Sequence, residues 1–357
     1  MMLIFFGLFV LLCLYKIQLK PKNGEKYMTD YMSVDKTTAI KGIFVIIVIF
    51  EHFNSYVTYT NPMDVFYFDY FSKIDQCMVT MFLFYSGFGV MESIKKKNIS
   101  YVHKIPVTRV LGTLFRFDIA VLLFALVNII LGIYFSAKQF ALSLIAWESI
   151  GNSNWYIFAV AVAYAITFIA FEICRDKGKY YPAAIFVTAG IAVYIYIMTH
   201  YVQAGSDWYA TIILYACGIW YSLLKEPIEK IINRNFAVWT VIFVLTTACT
   251  AYFAKYRFVS FVHLELCMLF FTAFMVLFSM RIAVYNKILV WCGKHLFSLY
   301  ILHRIPMIIF REIGVAELNI YLYFVLSVAV TVPIAWLFEK YAGKLWNLIT
   351  SPRKKTT

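Results

Sequence analysis

Long apolar runs recur along the whole sequence, and they constrain its fold more than any other feature. Most are about 17 to 25 residues long, the length that an α-helix needs to cross ~30 Å of hydrocarbon at about 1.5 Å per residue. Transmembrane β-strands would be about half as long and would alternate in polarity. With 62% hydrophobic and only 14% charged residues, the chain has too little polar surface to coat a water-soluble globule. The sequence therefore predicts an all-α, polytopic transmembrane helix bundle.

The apolar runs predict eleven membrane spans. They are expected near residues 2–19, 38–57, 76–94, 110–135, 154–174, 182–200, 208–224, 236–254, 259–280, 288–311 and 318–345. The first run has no basic residue ahead of it and no small-residue cleavage site, so we interpret it as a retained anchor helix rather than a cleaved signal peptide. The chain then divides into an anchor and linker over 1–34, a membrane domain over 35–347 and a basic tail over 348–357.

Basic residues in short loops predict the orientation of the bundle. The net charge of +13 comes from Lys and Arg residues scattered between apolar runs, with no continuous basic face, so it indicates topology rather than nucleic-acid binding. The basic loops span 20–36, 95–109, 175–179, 225–234, 281–287 and 353–355. By the positive-inside rule these loops are cytoplasmic, which places the N-terminus outside and the C-terminus inside a plasma or inner membrane. Lys255 and Arg257 depart from this pattern.

The seven cysteines lie singly in or near apolar runs. None follows the CxxC spacing that is typical of metal or redox sites. We therefore expect them to be small core residues, and the sequence predicts no metal site.

The second predicted span carries ionisable residues, which hydrocarbon tolerates only when they are paired or line a wet cavity. Lys41 and His52 are eleven residues apart, so steps of about 100° bring them to one helix face about 16 Å apart along the axis. His52 is a candidate general base, because imidazole is naturally poised for proton transfer near neutrality. The plainer interpretation is an interfacial pair of Glu51 and His52 that ends the span, and the spacing alone does not separate the two.

Small residues mark the third predicted span. Ser86, Gly87 and Gly89 would let a ligand or another backbone approach closely. Helix packing alone would also explain them, so this feature is compatible with either a site or a close helix crossing.

A basic cluster precedes and enters the fourth predicted span. It includes Lys104, Arg109 and Arg116, and the last two share a helix face at a spacing of seven. Asp118 is expected to pair with one of these arginines. The cluster suits the phosphates of a nucleotide-like cofactor, and it equally suits anionic lipid headgroups or topology alone.

The tenth predicted span is polar where it should be apolar. It contains Lys294, His295, His303 and Arg304. A helix with these residues cannot face lipid on all sides, and Pro306 would free a backbone carbonyl for bonding within the bundle. This pattern favours a polar cavity over a purely structural network.

Taken in order, these residues make the chain resemble the integral membrane acyltransferase 3 family, which O-acylates sugars of envelope polymers. The first core helix of the family carries a basic residue, ten intervening residues and a His, as Lys41 and His52 do here. Further matches are Ser86-Gly87-Phe88, the stretch from Lys104 to Arg109, Trp155-Tyr156-Ile157, and the segment from Ser298 to His303. The resemblance covers about residues 35–345. The chain departs from it at Lys41, where Arg is more usual, and at Val160, where many members have Glu.

The resemblance implies transfer of an acyl group, expected to be acetyl, from acetyl-CoA on the cytoplasmic side to a hydroxyl of an envelope or lipid-linked glycan. It implies His52 as the general base. Glu51 is the candidate for orienting the imidazole, although as the next residue it points about 100° away around the helix. The expected cofactor-binding residues are Lys41, Lys104, Arg109 and Arg116, and the expected substrate-binding residues are Ser86, Trp155, His303 and Arg304. The expected partners are the glycan acceptor and membrane lipid, and the pattern is compatible with a separate extracytoplasmic transferase and with a homo-oligomer.

Two other functions are compatible with the sequence. A carrier or flippase for a glycan or a lipid-linked intermediate would also use buried ionisable residues and broken helices. It would be expected to show two related halves, which the sequence does not. A scaffold or assembly subunit could keep the same fold without turnover.

Overall fold

A computed structural model describes residues 1–19, 27–71, 77–175 and 180–350. The helices are α1 Met2–Leu14, α2 Val34–Asn54, α3 Pro62–Phe71, α4 Cys77–Lys97, α5 Ile99–Val102, α6 Gly112–Leu131, α7 Ala137–Leu144, α8 Trp155–Ile173, α9 Tyr180–Ile197, α10 Ile213–Ile232, α11 Phe236–Tyr256, α12 Phe261–Arg281, α13 Lys287–Lys294, α14 Leu296–Leu302, α15 Arg304–Glu312, α16 Val315–Leu318 and α17 Ile320–Thr350. π-Helical turns cover Pro106–Leu111 and Met198–Val202, a 3₁₀ turn covers Ser206–Trp208, and the strands are β1 Ile17–Leu19 and β2 Ile282–Val284.

The helices confirm an all-α polytopic membrane protein. Within the described residues, seven helical segments are long and apolar enough to cross a membrane, namely 77–97, 99–131, 155–173, 180–202, 236–256, 261–281 and 320–350. Two further helices, α2 and α10, have 21 and 20 residues and carry charged residues. The total of eleven spans and the orientation of the termini stay predictions.

The first predicted span differs from the observed structure. Helix α1 ends at Leu14 and has 13 residues, and Lys16 takes a positive φ of 61°. The chain then forms β1, which pairs antiparallel with β2 so that Ile17 lies opposite Val284. The backbone of residues 17–19 is therefore bonded to the connection between α12 and α13 instead of continuing the anchor helix.

The tenth predicted span is also broken, into α13, α14 and α15, with interruptions at His295 and His303. Pro306 explains the second interruption. A proline ring clashes with the carbonyl four residues earlier, which here belongs to Leu302, the last residue of α14. Helix α15 restarts at Arg304, so Pro306 lies in its first turn, where a backbone N–H has no partner within the helix.

Two close helix crossings rest on glycines. A Cβ atom on Gly42 of α2 would lie 1.9 Å from the carbonyl oxygen of Leu289 in α13, and one on Gly293 would lie 1.8 Å from the carbonyl oxygen of Thr38. Gly87 makes the same kind of contact between α4 and the backbone of α10. The small-residue motif of the third predicted span therefore serves helix packing at Gly87. The contact of α2 with α13 holds the α13–α15 segment beside α2.

Candidate active site

Two histidines meet where the C-terminal part of α2 lies against the break between α14 and α15. His52 Nδ1 lies 2.6 Å from His303 Nε2. The other nitrogen of His303, Nδ1, lies 2.9 Å from the carbonyl oxygen of Leu299, and His303 is fully buried. These two residues form the His52–His303 dyad. It joins side chains that are 251 positions apart in the sequence.

The contacts of the dyad assign its tautomers. A carbonyl oxygen only accepts hydrogen bonds, so His303 Nδ1 carries a hydrogen and donates it to Leu299. In the neutral ring His303 Nε2 is then an acceptor, and it accepts a hydrogen bond from His52 Nδ1–H. The lone pair of His52 therefore lies on Nε2. This is the arrangement that a general base requires, because the partner fixes the ring and leaves the basic nitrogen available.

An irregular loop, residues 145–154, covers the dyad on one side. Ser153 Oγ lies 3.5 Å from His52 Nδ1. Side-chain amides bond to the carbonyls of this loop: Asn128 Nδ2 donates to Ile150 at 2.7 Å, and Gln139 Nε2 donates to Ser149 at 2.8 Å. Non-helical backbone is tolerated within a bundle when its polar groups are satisfied in this way. Ser153 was not among the predicted site residues, and its signal in the sequence is the run of small polar residues directly before Trp155.

A large cavity opens near the N-terminal end of α2. Its volume is about 1080 Å³, and its lining includes Lys41, Ser86, Gly89, Arg109 and Tyr156. The charged residues in this lining are Lys41, Lys95, Lys96, Lys97, Arg109 and Lys225, against Asp30 and Glu92. We name it the basic cavity. Because cations outnumber anions in its wall, it favours a negatively charged ligand.

The basic cavity ends one aromatic layer short of the dyad. His52 is not part of its lining, whereas Tyr156 is. The Tyr156 ring centroid lies 5.4 Å from that of Tyr300, and the Tyr300 centroid lies 6.3 Å from that of His52. On the face of α2 between Lys41 and His52, Val45 and Val48 are buried. A ligand in the basic cavity thus meets Tyr156 and Tyr300 before it reaches the imidazole.

A second cavity lies beyond the other end of α2. Its volume is about 310 Å³, and its polar lining residues are Tyr56, Asn128, Tyr134, Gln139, Ser149, Arg311 and Glu312. We name it the polar cavity. Arg304 Nε donates a hydrogen bond to the Tyr56 hydroxyl at 3.2 Å. Neither histidine lines the polar cavity. Tyr56, which bonds to Arg304 next to His303, and the loop that carries Ser153 connect the cavity wall to the dyad.

The structure brings together only part of the predicted site. His52 and His303 form the dyad and Arg304 follows it directly, while Lys41, Ser86 and Arg109 line the basic cavity. Trp155 begins α8 beside Tyr156, with ring centroids 6.2 Å apart, and it lines neither cavity.

Two predicted cofactor-binding residues are placed elsewhere. Arg116 pairs with Glu339 of α17 at 3.2 Å rather than with Asp118, because α6 packs against α17. Lys104 is exposed and lies outside the lining of the basic cavity. The structure therefore brings Lys41 and Arg109 to the basic cavity but not Lys104 and Arg116, whose role in cofactor binding stays a prediction.

Glu51 lies on another side of α2 from the dyad, as the step of about 100° per residue requires. Burial raises the pKa of Tyr59, and the neighbouring groups Tyr67, Asp64 and Glu51 add to this effect, which places Glu51 toward α3. The hydrogen-bond partners of the His52 ring within the described residues are His303 and Ser153. The structure thus brings His303 rather than Glu51 to the His52 ring, and a role of Glu51 in orienting it stays a prediction.

Comparison with known families agrees with the geometry. The model of the acyltransferase 3 family, described as an acyltransferase domain, matches residues 36–340. No curated protein and no solved structure matches the chain. The matched range extends from the first turn of α2 into α17 and contains the dyad, Lys41 and Arg109.

Proposed function

We propose that this chain, which belongs to the acyltransferase 3 family, is a membrane O-acyltransferase that moves an acetyl group from acetyl-CoA on the cytoplasmic side to a hydroxyl of an envelope or lipid-linked glycan. Family membership makes it a membrane acyltransferase. The donor, the acceptor and the base are our proposal. The observation that carries it is the His52–His303 dyad, which lies between the basic cavity at one end of α2 and the polar cavity at the other.

The basic cavity suits the donor. Coenzyme A carries several phosphate charges, and the six cations of the lining face only two acidic residues. Arg109 offers a planar fork that can bind phosphate through two parallel hydrogen bonds, while Lys41 offers a compact point charge deeper along α2. Several of these cations belong to the loops that the positive-inside rule assigns to the cytoplasm. Acetyl-CoA would therefore enter from that side, with its thioester pointing along α2 toward His52.

The polar cavity suits a hydroxyl-rich acceptor. Tyr56, Gln139, Arg311 and Glu312 offer hydrogen-bond donors and acceptors together with an aromatic ring. Arg311 lies over the Tyr56 ring, 5.9 Å from its centroid. A sugar ring needs both kinds of contact, because it presents hydroxyls at its edge and an apolar face. This cavity would be the extracytoplasmic side of the site.

The chemistry follows from the tautomer of His52. Its Nε2 removes the proton of the acceptor hydroxyl as that oxygen attacks the carbonyl carbon of the thioester. Breaking the C–S bond of the tetrahedral intermediate then releases CoA, whose thiolate takes up the proton from the His52 imidazolium. His303 holds the ring in place through His52 Nδ1–H and stabilises the positive charge that His52 carries between the two steps. The products are an O-acetyl ester and free CoA.

Turnover of acetyl-CoA by the purified full chain in detergent tests this proposal. We expect the wild type to release CoA, by transfer or by slow hydrolysis, and His52→Ala to insert and fold but release none. His200→Ala is the matched control, because His200 is exposed and lies in the π-helical turn that follows α9, outside the dyad and both cavity linings. Full activity in a folded His52→Ala variant would exclude the proposed base. Counterflow of a glycan substrate in liposomes without acyl-CoA would instead support a carrier.

A further inference from the structure

Tyr300 carries a buried hydroxyl group that the fold does not use. The side chain is 3% exposed, and its hydroxyl has no hydrogen-bond partner among the residues that the structure describes. Buried polar groups are nearly always hydrogen-bonded, so an exception needs a reason. A phenylalanine would fill the same space without the loss of hydration that this hydroxyl suffers. A ligand that accepts a hydrogen bond would account for the hydroxyl.

The position of Tyr300 supplies that reason. On α14 it lies four residues after Leu296, which lines the basic cavity, and three residues before His303, so the three side chains share one helix face. Its ring centroid is 6.3 Å from that of His52 and 6.5 Å from that of His303. On the other side it meets Tyr156, which belongs to the cavity wall. Tyr300 therefore lies between the end of the basic cavity and the dyad.

The reaction needs a hydrogen-bond donor at this place. When a hydroxyl attacks a thioester, the carbonyl electrons move onto its oxygen, and the resulting oxyanion must be stabilised by preorganised donors. Arg304 Nε already donates to Tyr56 on the side of the polar cavity. The Tyr300 O–H has no partner among the described residues, and its ring lies beside both imidazoles.

We propose that Tyr300 is a catalytic residue whose hydroxyl donates a hydrogen bond to the carbonyl oxygen of the bound thioester. This assignment rests on the proposed function and adds an oxyanion donor to it. The hydroxyl keeps its proton throughout. Its hydrogen bond strengthens as the C=O bond opens and weakens again when the carbonyl reforms and the C–S bond breaks. The partner missing in the free protein is thus the thioester itself.

Tyr300→Phe tests the assignment, because it removes the hydroxyl and keeps the ring. We expect kcat for acetyl-CoA turnover to fall about 100- to 1,000-fold, the usual loss for one oxyanion donor, while the KM for acetyl-CoA changes little. Because the hydroxyl has no partner within the part of the chain that the structure describes, the thermal unfolding midpoint in detergent should not fall.

Tyr323→Phe is the matched control. Its buried hydroxyl donates to the carbonyl oxygen of Met307 at 2.8 Å, so its loss should lower the unfolding midpoint and leave kcat near the wild-type value. Tyr300→Phe with wild-type kcat, while His52→Ala is inactive, would overturn the role of Tyr300 and leave the proposed function standing. Equal losses of kcat and of the unfolding midpoint in Tyr300→Phe and Tyr323→Phe would also overturn it, because the two hydroxyls would then have the same structural role. A wild type that never turns over acetyl-CoA would overturn the proposed function and, with it, this assignment.

Discussion

Replacing His303 by phenylalanine removes the hydrogen-bond partner of His52 Nδ1 and changes little else. The new ring fills a similar buried space, and the Leu299 carbonyl keeps a partner, because it still accepts a hydrogen bond from the backbone N–H of residue 303 at 3.2 Å. The group left without its 2.6 Å partner is His52 Nδ1–H, which then has only the long 3.5 Å contact with Ser153 Oγ. Leaving a buried donor unsatisfied costs about 1 to 3 kcal/mol. The imidazole can avoid this cost by adopting the other tautomer, which has no lone pair on Nε2.

Either outcome lowers the population of the active base, and each 1.36 kcal/mol corresponds to about tenfold in rate. We therefore expect kcat for acetyl-CoA turnover by purified His303→Phe to fall about 5- to 150-fold, with an unchanged KM for acetyl-CoA. His295→Phe is the matched control. His295 Nδ1 also bonds to the carbonyl four residues earlier, that of Trp291, at 2.9 Å. The His52 ring bonds to His303 and Ser153 and not to His295 among the described residues. An unchanged kcat in His303→Phe, or an equal loss in His295→Phe, would refute the tautomer argument.

Two further substitutions test the packing and the donor site. Gly293→Ala should lower the thermal unfolding midpoint in detergent. Its new Cβ would lie 1.8 Å from the carbonyl oxygen of Thr38, the helices must separate until this distance is at least 3.0 Å, and such overpacking lowers the free energy of unfolding by about 1 to 3 kcal/mol. Gly7→Ala, where a Cβ meets nothing within 4 Å, should be neutral or stabilising, and an equal loss in both would contradict the crossing. Lys41→Gln should raise the KM for acetyl-CoA about tenfold or more through a lost charge-assisted contact. Lys104→Gln should leave that KM unchanged. A higher KM in Lys104→Gln than in Lys41→Gln would show that the donor does not lie in the basic cavity.

The fold class could be predicted from the sequence because the length and polarity of the apolar runs follow directly from the thickness of the hydrocarbon layer. The interruptions could not be placed in the same way. The break between α14 and α15 falls at His303, inside a segment that is long enough to cross the membrane as one helix, and only the position of Pro306 relative to Leu302 shows where a helix must end. The end of α1 at Leu14 depends on strand pairing with residues 282–284, which are remote in the sequence.

The individual site residues were easier to predict than their pairing. His52 and His303 stood out because ionisable groups are rare at membrane depth. Their contact depends on how α2 packs against α13, which glycines 42 and 293 control through backbone contacts that no local pattern reveals. Glu51 is adjacent to His52 in sequence, but a step of about 100° along the helix directs it to another side of α2, whereas the partner that bonds to the ring, His303, is 251 positions away.

Charge clusters gave the least secure assignments. Arg109 and Arg116 share a face by their spacing, but Arg116 is paired with Glu339, a residue 223 positions later. Whether a cation is free for a ligand depends on such distant partners, and a single sequence does not contain that information.

The central claim is that His52, between the two cavities, activates the acceptor for a donor that enters through the basic cavity. Sealed proteoliposomes with the chain in one orientation and acetyl-CoA on one side only test it most directly. We expect CoA release by the wild type only when acetyl-CoA is on the side of Lys41 and Arg109, and none by folded His52→Ala. Release from the side of Tyr56, or undiminished release by His52→Ala, would contradict the account.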